Sequence, residues 1–176
     1  QLRAAIELDP TDPRPYNHLM IDVLGPSHDL KGMRALANEG IAAGADQVTI
    51  EQAEASAASA AGDNNATEAA LLRVSRDAPT YSSLKNLGAF YTDTRKYDRA
   101  IVAYEHALDI NPNAAEAYLG LAQAEENAFD FAAAKRDYEH AIRLAPNDKG
   151  MRQTYAGFQQ REAQAVGDVL AADLLA

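Results

Sequence analysis

A segment of about 34 residues recurs in register along this chain, and the recurrence constrains the fold more than any single motif. The clearest copy, residues 81–114, contains two amphipathic patterns at helical spacing. Its two packing stripes consist of Leu84, Leu87, Gly88 and Tyr91, and of Ala100, Tyr104, Ala107 and Leu108. Pro112 closes this copy, Pro146 follows it by the same interval, and Pro10 precedes it by three intervals. A period of this length, held over several copies, is typical of helical repeat proteins.

The period divides the whole chain. Residues 1–12 are predicted to be the end of a truncated repeat helix, so we expect a fragment or a processed product. Four repeats are predicted at 13–46, 47–80, 81–114 and 115–148. Residues 149–176 are predicted to form a further helix to about residue 161, followed by either a C-terminal capping helix or the stub of a longer array. The apolar tail residues at near-helical spacing are Val166, Val169, Leu170, Leu174 and Leu175.

The first two repeats depart most from the clear copy. In the first, we expect an α-helix from about Pro15 to Leu24, a break at Gly25–Pro26, and a second helix capped by Ser27 or Asp29. The second is rich in alanine, which allows close helix packing but buries little area, so we expect it to be the least stable repeat. No segment alternates with period two for long enough to predict a strand, so we expect an all-α chain.

Composition excludes several classes of function. The formal net charge of −10 argues against binding to nucleic acid or to an anionic membrane surface, because both require a basic protein surface. No apolar run approaches the roughly 18 residues of a spanning helix, so no membrane insertion is expected. The chain has no cysteine, which excludes disulfides and thiolate metal sites but leaves the compartment open. We expect a soluble protein, either cytoplasmic or periplasmic.

The repeat resembles the tetratricopeptide repeat. The matching positions in the third copy are Leu84, Leu87, Gly88, Tyr91, Ala100, Tyr104, Ala107 and Pro112. Those in the fourth copy are Tyr118, Leu121, Ala122, Ala134, Tyr138, Ala141 and Pro146, with Glu125 in place of the usual tyrosine. The resemblance implies a right-handed α-solenoid of antiparallel helix pairs. Gly88 and Ala122 are then expected where the two helices of a pair cross, because a larger side chain would separate them.

In such an array the first helix of each repeat lines the concave surface, and we expect partners to bind there. The polar stripe beside each packing stripe predicts the binding positions. They are Arg14, Asn17, Ile21, Glu51, Ser82, Lys85, Ala89, Thr92, Glu116, Leu119, Gln123, Glu126, Asn127 and Gln153. This mixture of amides, charges and small apolar groups suits an extended peptide or a helix. A carboxylate clamp of the Lys/Asn/Arg kind is disfavoured, because Ala89, Glu116 and Gly120 stand where clamp residues are expected.

No residue pattern predicts chemistry. There is no nucleophile motif, phosphate-binding glycine loop or cysteine nucleophile, so no catalytic residue, cofactor or metal is predicted. His106 and His140 lie one repeat apart, which is too far to share a metal ion. The glutamate pairs Glu51/Glu54 and Glu125/Glu126 are interpreted as exposed solubilising charges.

The sequence therefore favours a non-catalytic protein–protein interaction scaffold that binds a peptide, helix or subunit in a concave groove. Two alternatives stay open. The chain can be the repeat domain of a larger enzyme, secretion or envelope-assembly protein, where it positions a substrate or partner. It can also be a self-assembling scaffold whose end helices, with Leu2 and Ile6 at one end and Leu170 and Leu174 at the other, stack on further copies.

Overall fold

A computed structural model describes the backbone of residues 1–174 and the side chains of residues 1–165. All regular elements in this range are helical, which confirms the predicted all-α class. The helices are α1 (Leu2–Leu8), α2 (Pro13–His18), α3 (Leu30–Ala43), α4 (Gln47–Ala60), α5 (Asn64–Asp77), α6 (Tyr81–Asp93), α7 (Tyr97–Ile110), α8 (Ala115–Asn127), α9 (Phe131–Leu144) and α10 (Lys149–Leu174). A π-helical segment, Leu19–Leu24, continues α2. The chain divides into two compact units: unit 1 is Gln1–Leu87 and unit 2 is Gly88–Ala176.

Unit 1 packs its helices around a core of large side chains. The fully buried ones are Tyr16, Met20, Met33, Leu36, Ile50 and Val74. Gly40 in α3 makes room for this core, because an added Cβ would lie 3.2 Å from both Ile50 Cδ1 and Tyr16 Cδ1. The buried residues of α4 and α5 include Ala53, Ala57, Ala58 and Ala70. The alanine-rich second repeat is therefore packed, and its lower stability stays a prediction.

The first helix of the first repeat differs from the expected α-helix at Pro15–Leu24. It begins at Pro13, where the Asp12 carboxylate accepts a hydrogen bond from the Arg14 N–H. Its last six residues widen into a π-helix, in which the Gly25 N–H donates to the Met20 carbonyl over 2.8 Å. A local insertion of this kind leaves no mark in hydrophobic periodicity.

The turn inside each helix pair has the same geometry in all four predicted repeats. A residue with positive φ closes the first helix: His28 at 54°, Gly62 at 73°, Arg95 at 59° and Phe129 at 65°. The N–H of the next residue donates back to the helix, for example from Lys96 to the Tyr91 carbonyl and from Asp130 to the Glu125 carbonyl. These are Schellman-type ends, which normally favour glycine at the positive-φ position. Three of the four turns carry a bulky residue there instead.

Aspartate caps the helix that follows most of these turns. Asp29, Asp63 and Asp130 each accept a hydrogen bond from the backbone N–H three residues later, at 2.8 to 3.0 Å. Asp29 is therefore the cap left open between Ser27 and Asp29, while the Ser27 hydroxyl donates to the Leu24 carbonyl. In the third repeat Lys96 occupies the cap position and makes no side-chain cap bond.

Unit 2 contains an aromatic core between α8, α9 and α10. Tyr138 and Phe158 are fully buried with ring centroids 5.0 Å apart, and Ala122 and Ala134 pack beside them. Tyr104 of α7 packs against Gly88 and Gly120. A Cβ added at Gly88 would lie 3.0 Å from Tyr104 Cδ1, and one added at Gly120 would lie 2.6 Å from Tyr104 Cε1.

The C-terminal helix differs from the expected further helix followed by a separate cap. Residues 149–174 form one helix of 26 residues without a turn. This segment has no proline, and a helix interior accepts Gly157 and Gly167 at about 1 kcal/mol each. The packing expected of Val166, Val169, Leu170, Leu174 and Leu175 lies outside the described side chains.

Candidate functional site

In unit 1, most of the predicted binding positions reach the surface. Arg14 and Ser82 are exposed, and Ile21 keeps 40% of its surface exposed. Asn17 is half-buried, and its Oδ1 is buried without a hydrogen-bond partner among the described residues. Lys85 is also half-buried, with Nζ 5.7 Å from the centroid of the Tyr81 ring.

Glu51 is a correction to the predicted set. It is 2% exposed, and Glu54 on the same helix is 8% exposed. Arg73 from α5 approaches Glu51 at 3.7 Å and Glu54 at 2.5 Å, while Arg34 from α3 contacts Glu54 at 2.8 Å. The interpretation of these two glutamates as exposed charges was therefore wrong. Arg34 and Arg73 hydrogen-bond Glu54, and Arg73 lies within ion-pair distance of Glu51 without a hydrogen bond to it. Pairing with cations is the usual condition under which carboxylates become buried.

Ile6 also differs from expectation. The self-assembly hypothesis needs an exposed apolar face at the N-terminal end, but Ile6 is 5% exposed and belongs to the core of unit 1. The corresponding side chains at the other end, Leu170 and Leu174, are outside the described residues.

In unit 2, four predicted positions come together around one cavity of about 450 Å³. These are Thr92 on α6 and Gln123, Glu126 and Asn127 on α8. The remaining lining residues are Phe129, Phe131, Tyr138, Thr154 and Arg161. Ala89, Glu116 and Gln153 are exposed but do not line this cavity, and Leu119 packs against the aromatic core. We call this space the aromatic cavity.

Glu126 organises one side of the aromatic cavity. Its carboxylate accepts a hydrogen bond from the Tyr138 hydroxyl at 2.9 Å. It also accepts two from Arg161, at 2.5 Å from Nε and 3.1 Å from Nη2. Burial and the hydrogen bond to the Glu126 carboxylate raise the pKa of Tyr138, so this hydroxyl stays a donor. The bidentate pair holds the guanidinium of α10 at a set position beside α8.

Phe129 forms the apolar part of the cavity, and the sequence analysis missed it as a site residue. Its side chain is 79% exposed, its φ is 65°, and its ring centroid lies 6.3 Å from that of Phe131. The available signal was an aromatic residue at the turn position that glycine occupies in the second repeat.

Glu125, beside Glu126, is buried instead of exposed. It is 9% exposed, and one of its oxygens is buried without a partner. Burial, the nearby Asp137 carboxylate and a hydrogen bond between these two side chains raise the pKa of Glu125 to about 8. Burial also raises the pKa of Asp137. Two adjacent carboxyl groups in a partly buried site cannot both ionise easily, because their negative charges repel each other. They therefore share a proton at neutral pH.

The histidines form no metal site in the described part of the chain. His140 stacks on Tyr118 with ring centroids 4.1 Å apart. Across the residues that the structure describes, no group of three or more His, Asp or Glu side chains converges to hold an ion. Among the same residues, no helix combines the length and apolarity that crossing a membrane requires.

Comparison with protein families identifies the repeats. Residues 81–114 and residues 115–148 each match a tetratricopeptide repeat model. Residues 81–148 therefore consist of two tetratricopeptide repeats. The matched ranges have the same bounds as the predicted third and fourth repeats, and the division of the remaining residues stays a prediction. A search of curated protein sequences found no significant match.

Solved structures with similar folds are tetratricopeptide repeat proteins. One from Parabacteroides merdae is 19% identical, with 96% of this chain and 68% of that chain covered and a TM-score of 0.67. The first such domain of Spaghetti (RPAP3), bound to an HSP90 peptide, is 18% identical, and the match covers 66% of this chain and 95% of that chain with a TM-score of 0.60. The second domain of human RPAP3, in complex with an HSP70 peptide, is 16% identical, and the match covers 62% of this chain and 92% of that chain with a TM-score of 0.57. At identities this low, the structural similarity establishes a helical repeat solenoid fold and does not assign a ligand to this chain.

Proposed function

We propose that this protein is a non-catalytic interaction scaffold and that the aromatic cavity of unit 2 binds an extended segment of a partner protein. Phe129 carries the proposal. It is a large apolar residue, 79% exposed, held at a positive φ where glycine is favoured. Both properties disfavour the isolated fold, so a contribution outside the fold explains them better than packing does.

Burial of Phe129 by a partner can contribute several kcal/mol to the free energy of binding. A phenylalanine side chain can bury roughly 150 Å² against a partner, which corresponds to about 4 kcal/mol at 25 cal/mol/Å². Positive φ at a non-glycine residue opposes the fold by about 1–2 kcal/mol. Full burial of the Phe129 side chain against a partner therefore outweighs the local strain, and buried aromatic side chains are frequent anchors of interfaces.

The polar lining suits the backbone of an extended segment. Gln123 and Asn127 present amide groups, which can both donate to and accept from a peptide main chain. The hydroxyls of Thr92 and Thr154 donate to the carbonyls of Gly88 and Gly150 in their own helices, at 3.0 Å each. The cavity thus combines an apolar anchor with a small number of orienting polar groups.

The comparisons support a peptide as the class of ligand. The two RPAP3 domains are in complex with short peptides, and they have a similar fold. The predicted positions of unit 1, including Asn17 and Lys85, stay a separate binding hypothesis. The proposals that the chain belongs to a larger protein or self-assembles are also retained, the latter without Ile6 as an exposed contact.

Selection from a displayed library of random 12-residue peptides, none with a free C-terminus, tests the proposal. We expect enriched peptides to bind wild type and to lose at least about tenfold in affinity with Phe129→Gly. The variant should keep wild-type stability or gain up to about 1 kcal/mol, because glycine accepts positive φ. His28→Gly is the matched control, since His28 holds the same turn position in unit 1 and is also exposed.

Two results would contradict the proposal. One is a selection that enriches no peptide above background. The other is a set of enriched peptides that bind Phe129→Gly and His28→Gly as tightly as wild type, measured by fluorescence anisotropy with each peptide labelled. Circular dichroism at 222 nm verifies that all three proteins are equally helical.

A further inference from the structure

A second cavity of unit 2 is lined by three cationic side chains. Its volume is about 470 Å³, and its lining residues are Arg95, Lys96, Tyr97, Asp98, Arg99 and Ala128. Three of these six lining residues carry a positive charge and one carries a negative charge, in a chain whose formal net charge is −10. A basic cavity in so acidic a protein is selective for anionic groups, because most of the remaining surface repels them. We call it the basic cavity.

A buried tyrosine holds two of the cations in place. Tyr91 is 4% exposed, and its ring centroid lies 5.8 Å from Lys96 Nζ and 5.8 Å from Arg99 Cζ. Cation–π contacts of this kind limit side-chain motion before any ligand arrives, which lowers the entropy lost on binding. Arg95 stands at the positive-φ position of the turn, with φ at 59°. It is thus the counterpart of Phe129 one repeat earlier.

The basic cavity adjoins the aromatic cavity. Ala128 lines the first and Phe129 lines the second, and the Cα atoms of consecutive residues are about 3.8 Å apart. A single extended segment rises by about 3.3 Å per residue. One partner segment can therefore cover Phe129 with an apolar side chain and place neighbouring side chains in the basic cavity.

We propose that the basic cavity binds carboxylates of an acidic stretch in the same partner segment whose apolar side chain covers Phe129. This inference rests on the proposed function and names the chemistry of the partner: aspartate or glutamate beside an aromatic or aliphatic anchor. The planar guanidinium groups of Arg95 and Arg99 match carboxylate geometry, and Lys96 adds a point charge. The bound groups are internal side chains, so recognition does not need a free C-terminal carboxylate.

The library selection described above, repeated on a charge variant, tests the inference. Peptides enriched on wild type are expected to contain more Asp and Glu than the starting library, and selection on Arg95→Gln/Arg99→Gln is expected to abolish that excess. The matched control is Lys135→Gln/Arg143→Gln, which removes two exposed cations from α9. It should retain the acidic preference. Circular dichroism verifies folding of both variants.

Titration of the strongest wild-type binder then measures the charge contribution. The peptide is used N-acetylated and C-amidated, next to a copy with every Asp and Glu replaced by Asn and Gln. We expect the acidic form to bind wild type about tenfold more tightly than the amide copy in 50 mM salt, and the advantage to shrink as salt increases. On Arg95→Gln/Arg99→Gln the two forms should bind within about twofold of each other.

The outcomes separate this inference from the proposed function. Enriched peptides that depend on Phe129 but show no excess of Asp and Glu overturn the basic-cavity assignment and leave the aromatic cavity standing. An acidic preference that persists in Arg95→Gln/Arg99→Gln also overturns it. Absence of any Phe129-dependent peptide overturns both proposals.

Discussion

Glu125→Gln is expected to raise the free energy of unfolding at alkaline pH and to flatten its dependence on pH. Glu125 lies on α8 at the position where the third repeat has Tyr91, and it is 9% exposed. Its carboxyl group hydrogen-bonds the Asp137 side chain, and its pKa is raised from 4.5 to about 8, mainly by burial and secondly by the Asp137 charge. Glutamine keeps the shape of the protonated acid but has no proton to lose.

The direction and size of this pH effect on the free energy of unfolding follow from the difference in bound protons between the folded and unfolded states. Because the folded-state pKa lies above the unfolded value, the folded protein retains a proton between pH 4.5 and about 8 that the unfolded chain has released. The free energy of unfolding then falls by about 1.4 kcal/mol for each unit of rising pH. This stability is fully present below pH 4.5 and is lost as the pH passes through about 8. The window corresponds to roughly 5 kcal/mol as an upper bound, and Asp137 acts in the same direction.

Urea unfolding followed by circular dichroism at several pH values measures the effect. We expect Glu125→Gln to exceed wild type by roughly 2–4 kcal/mol at pH 8.5 and to lie within about 1 kcal/mol of it at pH 4.5. Glu105→Gln is the matched control, because it removes the same charge from an exposed position on α7 and should keep the wild-type slope. Parallel pH profiles for wild type and Glu125→Gln would refute the assignment of a shared buried proton.

Two further predictions concern packing and the binding positions of unit 1. Gly120→Ala should lower the free energy of unfolding by about 1–3 kcal/mol, because the new methyl group would overlap the Tyr104 ring. Gly157→Ala should be nearly neutral or stabilising in the same urea titration, because its methyl group would meet only the end of the Arg161 side chain, 3.2 Å from Nη1. Equal losses for both would exclude the overlap. Lys85→Glu with Asn17→Ala should weaken recovery of bound partners from a source-cell extract without unfolding the protein, which circular dichroism verifies. Unchanged recovery of every partner, quantified by mass spectrometry, would remove unit 1 from the binding hypothesis.

Helix pairing could be predicted from the sequence because its cause is periodic. Apolar residues at helical spacing, small residues where helices cross, and turn residues between them recur at an interval that one pair of helices explains. Gly88 against Tyr104 is such a case, since both residues were recognised and the structure brings them together. Asp29 was likewise one of the two caps expected from residue type and from the place before an apolar run, and the structure selects it over Ser27.

The state of individual charged residues could not be predicted in the same way. Glu51 and Glu125 carry the same side chain as exposed glutamates elsewhere in the chain. Their burial depends on groups 12 to 22 residues away, Arg73 for the first and Asp137 for the second. One-dimensional patterns carry no information on such pairs, because the energy of a buried charge depends on what lies across the helix interface.

The lining of the aromatic cavity separates most clearly what could be predicted from the sequence from what required the structure. The offset between packing stripe and polar stripe was enough to select Thr92, Gln123, Glu126 and Asn127, because neighbours on one helix face are a property of the helix itself. It could not select Phe129 or Arg161, which reach the cavity from a turn and from α10. The sequence alone determined which residues form helices and which helix faces pack. The tertiary structure decided which carboxylates are buried and which side chains from different elements share a cavity, because both depend on distances that only the packed helices define.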